Sequence, residues 1–82
     1  MNQNLLKFGN KKPREKTYDV FVKEKGHRNF VVYVKNAHTK EVEYDKCKDA
    51  VSEKQANFFR DTIAKDLSKK GHQVRNDKTI YQ

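Results

Sequence analysis

The chain has no tryptophan, one cysteine, one proline, one methionine and three glycines among its 82 residues. A single thiol, Cys47, cannot close an intramolecular disulfide, so packing alone must hold the fold, and a reducing compartment suits it. Long apolar runs are missing as well. The longest, Phe30 to Val34, is five residues, too short to span a bilayer. The N-terminal stretch "MNQNLLKFGNKKPREK" lacks the apolar segment of a secretory signal, and a cytoplasmic protein is expected. Acid is scarce relative to base: 11 Asp and Glu stand against 19 Lys and Arg, a formal charge of +8. Apolar bulk is also limited, with 18 residues being Leu, Ile, Val or Phe. One small domain with a thin core follows, with a stability of roughly 3–5 kcal/mol.

Catalytic and metal signatures are absent too. There is no G-x-S-x-G, Walker loop or H-E-x-x-H. The residues His27, His38, Cys47 and His72 are spaced by 11, 9 and 25 positions, with no paired-ligand unit such as C-x-x-C, so no metal or other cofactor is expected. A non-enzymatic protein is the expectation. A small ribonuclease using His27 or His38 beside lysines is the catalytic alternative.

What is present is base, unevenly spread. Residues 1–40 hold ten Lys and Arg against three Asp and Glu, whereas residues 41–82 hold nine against eight. A one-sided positive field attracts phosphate polymers, or an acidic protein partner.

Alternation predicts strands over Thr17–Glu24 and Asn29–Lys35, with Tyr18, Val20, Val22, Phe30, Val32 and Val34 facing inward. Phe21 and Tyr33 then face outward. The connection is the tight loop Lys25–Arg28. "NAHTK" is the next turn, and Glu41–Asp45 reads as a third strand, with Val42 and Tyr44 inward and an acidic outer row. Ser52 opens the clearest helix: Ser52 and Gln55 form a capping box, Val51 and Ala56 occupy staple positions, and Ala56, Phe59, Ile63 and Leu67 form one stripe. Gly71 is placed to end it. Phe58 projects away from the stripe, beside Lys54, Lys65 and Lys69. Asn2–Phe8 reads as a short capped helix. An α+β fold is expected: a short N-terminal helix, a three-stranded antiparallel sheet and a long helix on one face. Residues 1–71 would form the domain, and residues 72–82 a tail or an extra edge strand.

Two places suit a phosphate polymer. The tip Lys25-Gly26-His27-Arg28 combines a glycine that tolerates positive φ and close approach, a histidine able to donate a hydrogen bond, and two cations. An ordinary polar hairpin loop accounts for the same residues. The helix start at Ser52, with Lys54, offers free backbone donors and the positive end of the dipole, although capping alone explains Ser52 and Gln55.

The order of elements, with these residues, resembles the double-stranded RNA-binding domain over about residues 2–69. "NLLKF" is similar to the paired apolar residues of that family's first helix, Pro13 and Tyr18 to its Pro-then-Tyr entry, "KGHR" to a shortened Gly-Pro-x-His loop, and Phe30 to the phenylalanine opening its second strand. "SEKQAN" matches its Ser-Lys-Lys-x-Ala-Lys helix start at Ser52, Lys54 and Ala56, while Glu53 and Asn57 replace lysines. The resemblance implies shape-specific recognition of duplex RNA. The Gly26–His27 loop would enter one minor groove and Gln3 or Asn4 another, with Lys54, helped by Lys65 or Lys69, on the phosphates between. Some small toxin ribonucleases and the arm-binding domains of phage integrases are similar in fold. Two other readings stay open: a sheet that reads duplex DNA, and an inhibitor of phage or mobile-element origin that contacts a partner protein through Phe21, Tyr33 and Phe58.

Overall fold

The computed structural model describes residues 16–82. The expected helix over Asn2–Phe8, and with it Gln3 and Asn4, lies outside the described residues. The described chain is α+β. Its elements are β1 (Thr17–Gly26), β2 (Asn29–Asn36), a 3-10 turn (Tyr44–Lys46), β3 (Lys48–Ala50), α1 (Glu53–Lys69) and β4 (Gln73–Tyr81). The sheet order is β3-β2-β1-β4.

The β1–β2 hairpin forms because its alternation puts every large aliphatic on one side. Val20 pairs with Val34 and Val22 with Val32, and all four are fully buried. Each such valine contributes roughly 1.5–3 kcal/mol through apolar burial. Tyr18 and Phe30 complete the inner face at 2% and 8% exposure. Asn36 Oδ1 accepts from the backbone N–H of His38 and Thr39, closing the turn that "NAHTK" predicts, and Lys40 leaves it with φ 68.

The third strand differs from expectation. Across Glu41–Asp45 only Val42 bridges to the sheet, opposite Lys35. The chain then turns, because Glu43 is drawn inward: its carboxylate accepts from the Tyr18 hydroxyl at 3.4 Å and pairs with Lys46 at 2.9 Å. The acidic row is thereby broken, and Tyr44 points outward at 76% exposure. Pairing resumes in β3, where Ala50 lies opposite Phe30.

The last residues form the fourth strand, and it runs parallel to β1, so the sheet is mixed. Gln73 N–H donates to the Lys16 carbonyl at 2.9 Å to start it. Between β3 and β4 the chain crosses one sheet face as α1. Ser52 Oγ caps α1 by accepting from Gln55 N–H at 3.1 Å, and Gln55 Oε1 reaches back to Val51 N–H at 2.9 Å. The Ser52 half of the expected capping box is therefore made, while the return bond from Gln55 goes to Val51, one residue before the cap. The hydrophobic staple is not made, since Val51 is 66% exposed. Gly71, at φ 93, ends the helix: His72 N–H donates to Leu67 O and Gly71 N–H to Ser68 O, the paired bonds of a Schellman motif.

The buried stripe is rotated toward β4. Ala56, Arg60, Ala64 and Leu67 are buried, while Phe59 and Ile63 pack beside the core only half covered. Arg60, at 4% exposure, is held by Asn57 Oδ1 at 2.8 Å and Asp61 Oδ1 at 3.2 Å.

Candidate nucleic-acid interface

Antiparallel pairing sets where the helix begins. β3 runs back along β2 toward its first residues, so Ala50 arrives beside Phe30, and α1 starts three residues later. The helix start therefore sits next to the hairpin tip. Glu24, His27, Arg28, Val51, Ser52 and Glu53 line one groove there, with Phe30 in its floor.

The tip is a two-residue turn, His27–Arg28, both exposed. Register passes from Glu24 opposite Phe30 to Gly26 opposite Asn29, which leaves Lys25 as a bulged residue. The left-handed position belongs to Arg28 (φ 55) and not to Gly26, correcting the expectation that the glycine supplies it. A Cβ at Gly26 would meet nothing within 4 Å. Neither conformation nor packing demands glycine at position 26. Lys25 leans away from the groove: its ammonium donates to the Tyr33 hydroxyl at 3.1 Å, which raises its pKa.

The remaining cations expected at the interface lie along α1. Lys54, Lys65 and Lys69 are exposed and fall within about 60° of one another around the axis, over about 22 Å at 1.5 Å per residue. Lys65 and Lys69 line a separate groove with Lys78 of β4, at the end far from the tip. Only Lys54 is near the Ser52 start. Phe58 stands in the same ridge at 66% exposure, and Asp61 interrupts its charge. Phe58 and Phe59 form one wall of an apolar groove rimmed by Lys46, Lys48 and Lys70.

The other face of the sheet carries no described element. Phe21 stacks on Tyr33, its cross-strand partner, with centroids 5.6 Å apart. Tyr81 meets Phe21 edge-on at 5.9 Å. Phe21 and Tyr33 are legible as outward residues from alternation. Tyr81 is not, because its place depends on β4.

The chemistry-bearing residues outside these surfaces are dispersed. His38 lies at the opposite end of β2 from His27. His72 is used structurally: its Nδ1 accepts from Lys16 N–H at 3.3 Å and its ring meets Tyr18 edge-on. Burial pushes the Cys47 thiol pKa up, and its Sγ lies 3.5 Å from the Glu43 carbonyl. Among the described residues no group of three or more His, Cys, Asp or Glu is set to hold a metal ion. No described helix is long and apolar enough to cross a membrane.

Comparison with protein-family models, with curated proteins and with solved structures finds no match.

Proposed function

We propose that the protein binds nucleic acid, and that it grips duplex RNA by shape from the corner where the hairpin tip meets the helix start. The observation that carries this reading is the shared groove of His27, Arg28 and Ser52, with Lys54 two residues beyond Ser52 on α1 and Lys65 and Lys69 farther along the helix at a separate groove. A-form RNA hides its base edges in a deep major groove, so contacts fall on 2′-hydroxyls and phosphates. His27 would meet a minor-groove hydroxyl. Arg28 and Lys54 would neutralise phosphates, and Lys65 and Lys69 would follow the strand. The open space around Gly26 suits close approach of a sugar-phosphate backbone. Glu24 and Glu53 lower the charge of the groove itself, which leaves the phosphate contacts to the cations at its edges.

Titration with duplex RNA at several salt concentrations tests this. His27→Ala combined with Lys54→Ala should weaken binding at least about tenfold and lower the salt slope by about one, whereas Phe58→Ala should leave both unchanged. Unaltered affinity in the double variant would remove the corner from the interface.

A second reading, an interaction protein, is favoured by one observation: Phe58 is 66% exposed beside an apolar groove. Loss of a partner protein on Phe58→Ala, with no RNA bound by the native chain, would select it.

A further inference from the structure

We infer that the face of the sheet opposite α1 is a second binding site, for single-stranded nucleic acid, on which unpaired bases stack. This does not depend on the duplex-RNA reading, because the face lies on the side of the sheet opposite α1.

Three rings meet on this face without entering the core. Phe21 is central, Tyr33 lies over it at an interplanar angle of 27°, and Tyr81 stands at 89° to it. Cross-strand pairing accounts for the Phe21–Tyr33 stack. Tyr81 pairs opposite Lys23, diagonal to Phe21, and it is the residue at that place because of a register break in β4. Val20 faces Asn76 but Val22 faces Ile80, so β4 carries two extra residues between these pairs. Asp77 holds that bulge by accepting from Thr79 N–H at 2.9 Å, and it also accepts a hydrogen bond from the Tyr81 hydroxyl. The Tyr81 ring is therefore fixed as the wall of a groove of about 720 Å³, with Phe21 as another part of its lining. That volume lies in the range of small-molecule sites.

The groove's charge selects the occupant. Lys23, Lys35 and Arg75 line it, Arg75 being paired with Asp19, and Lys25 is bonded to the hydroxyl of the adjacent Tyr33. Its two carboxylates are already engaged: Asp19 takes both Arg75 bonds, at 2.6 and 3.0 Å, and Asp77 takes the tyrosine hydroxyl. What is left for a ligand is the Tyr81 ring, 44% exposed, with the partly covered Phe21 and Tyr33 rings beside it and the Lys23 and Lys35 ammonium groups at the border. That is the chemistry of a base-stacking platform with phosphates at its rim. Stacking needs only a π-face, so the site should not distinguish ribose from deoxyribose.

The test uses the full chain and three ten-nucleotide probes: oligo-uridylate, oligo-thymidylate and an abasic strand of equal length. The first two should bind within about threefold of each other, and the abasic strand at least about fivefold more weakly. Tyr81→Ala and Phe21→Leu should each weaken oligo-thymidylate at least about fivefold, Tyr81→Phe should keep most of the affinity, and Lys54→Ala should leave it unchanged. Equal binding of the abasic strand, or no binding of any single strand, overturns the inference, and the abasic arm does so without a variant that must fold. Duplex binding that survives Tyr81→Ala but is lost with His27→Ala and Lys54→Ala would separate the two sites. Single-strand binding without any duplex binding would leave this site standing and sink the duplex reading.

Discussion

Arg28 sits where backbone strain and the proposed contact coincide. An L-residue in the left-handed region carries a cost of roughly 1–2 kcal/mol that glycine avoids, yet the turn places arginine there and glycine two positions earlier. Arg28→Gly should therefore raise stability by about 1 kcal/mol, read as a shift in the urea midpoint, while weakening duplex-RNA binding. A variant that is more stable and binds equally well would show that the guanidinium has no role. Arg60 is a different case at the same scale. A charged residue on the flank of a helical stripe reads as solvated, and nothing in its neighbours signals burial. It is buried because the strand beside it, β4, draws the helix over that flank, and because Asn57 and Asp61 satisfy its donors.

The elements differ in how plainly they can be read. β1 and β2 carry β-branched and aromatic residues at alternate positions, so strand, facing and hairpin all follow from the pattern. The helix ends are nearly as plain, since Ser52 and Gly71 carry out the capping chemistry their identities suggest, and Gln55 reaches back one residue beyond the cap, to Val51. β4 is obscure for a physical reason. Its inward-parity positions read Val74, Asn76, Lys78 and Ile80, and the bulge carries Lys78 out to solvent. An amide and a lysine at half of the inward positions erase the hydrophobic alternation. The span Glu41–Asp45 misleads in the opposite way: it alternates well, but Tyr18 and Lys46 recruit Glu43 and end the pairing. The residues of the tip and of the α1 cap were legible, but what brings them into one corner is β3 at Lys48–Ala50, which the pattern did not reveal. The aromatic trio depends on β4 and was only two-thirds visible. The cap also gives a prediction for the element it starts. Ser52→Ala removes the acceptor for Gln55 N–H and should cost about 1 kcal/mol, with the urea midpoint lowered and the slope unchanged. A variant as stable as the native chain would mean that water replaces the cap at no cost.

The whole molecule is basic, but three carboxylates are tied into its fold: Asp19 joins β1 to β4, Asp61 joins α1 to β4, and Asp77 braces β4 itself. A hydrogen bond from Arg75 holds the Asp19 carboxyl below its ordinary value of 3.8; Asn76 does the same first for Asp61, and Tyr81 for Asp77. Each depressed value means that the unfolded chain binds the proton more readily, so folding gains from these groups above pH 3.8 and loses that gain as pH falls through the depressed values. The thermal midpoint should stay level from neutral pH to about 5 and then drop below about pH 4. A midpoint that does not change down to pH 2 would contradict these pairings. The same +8 charge bears on the central claim, because any cationic surface binds polyanions to some degree and only geometry separates one duplex from another. The decisive measurement is competition between a duplex RNA and the duplex DNA of the same sequence at physiological salt. If the corner reads A-form shape, RNA should displace DNA with an affinity at least about tenfold higher, and equal competition by the two duplexes would contradict it.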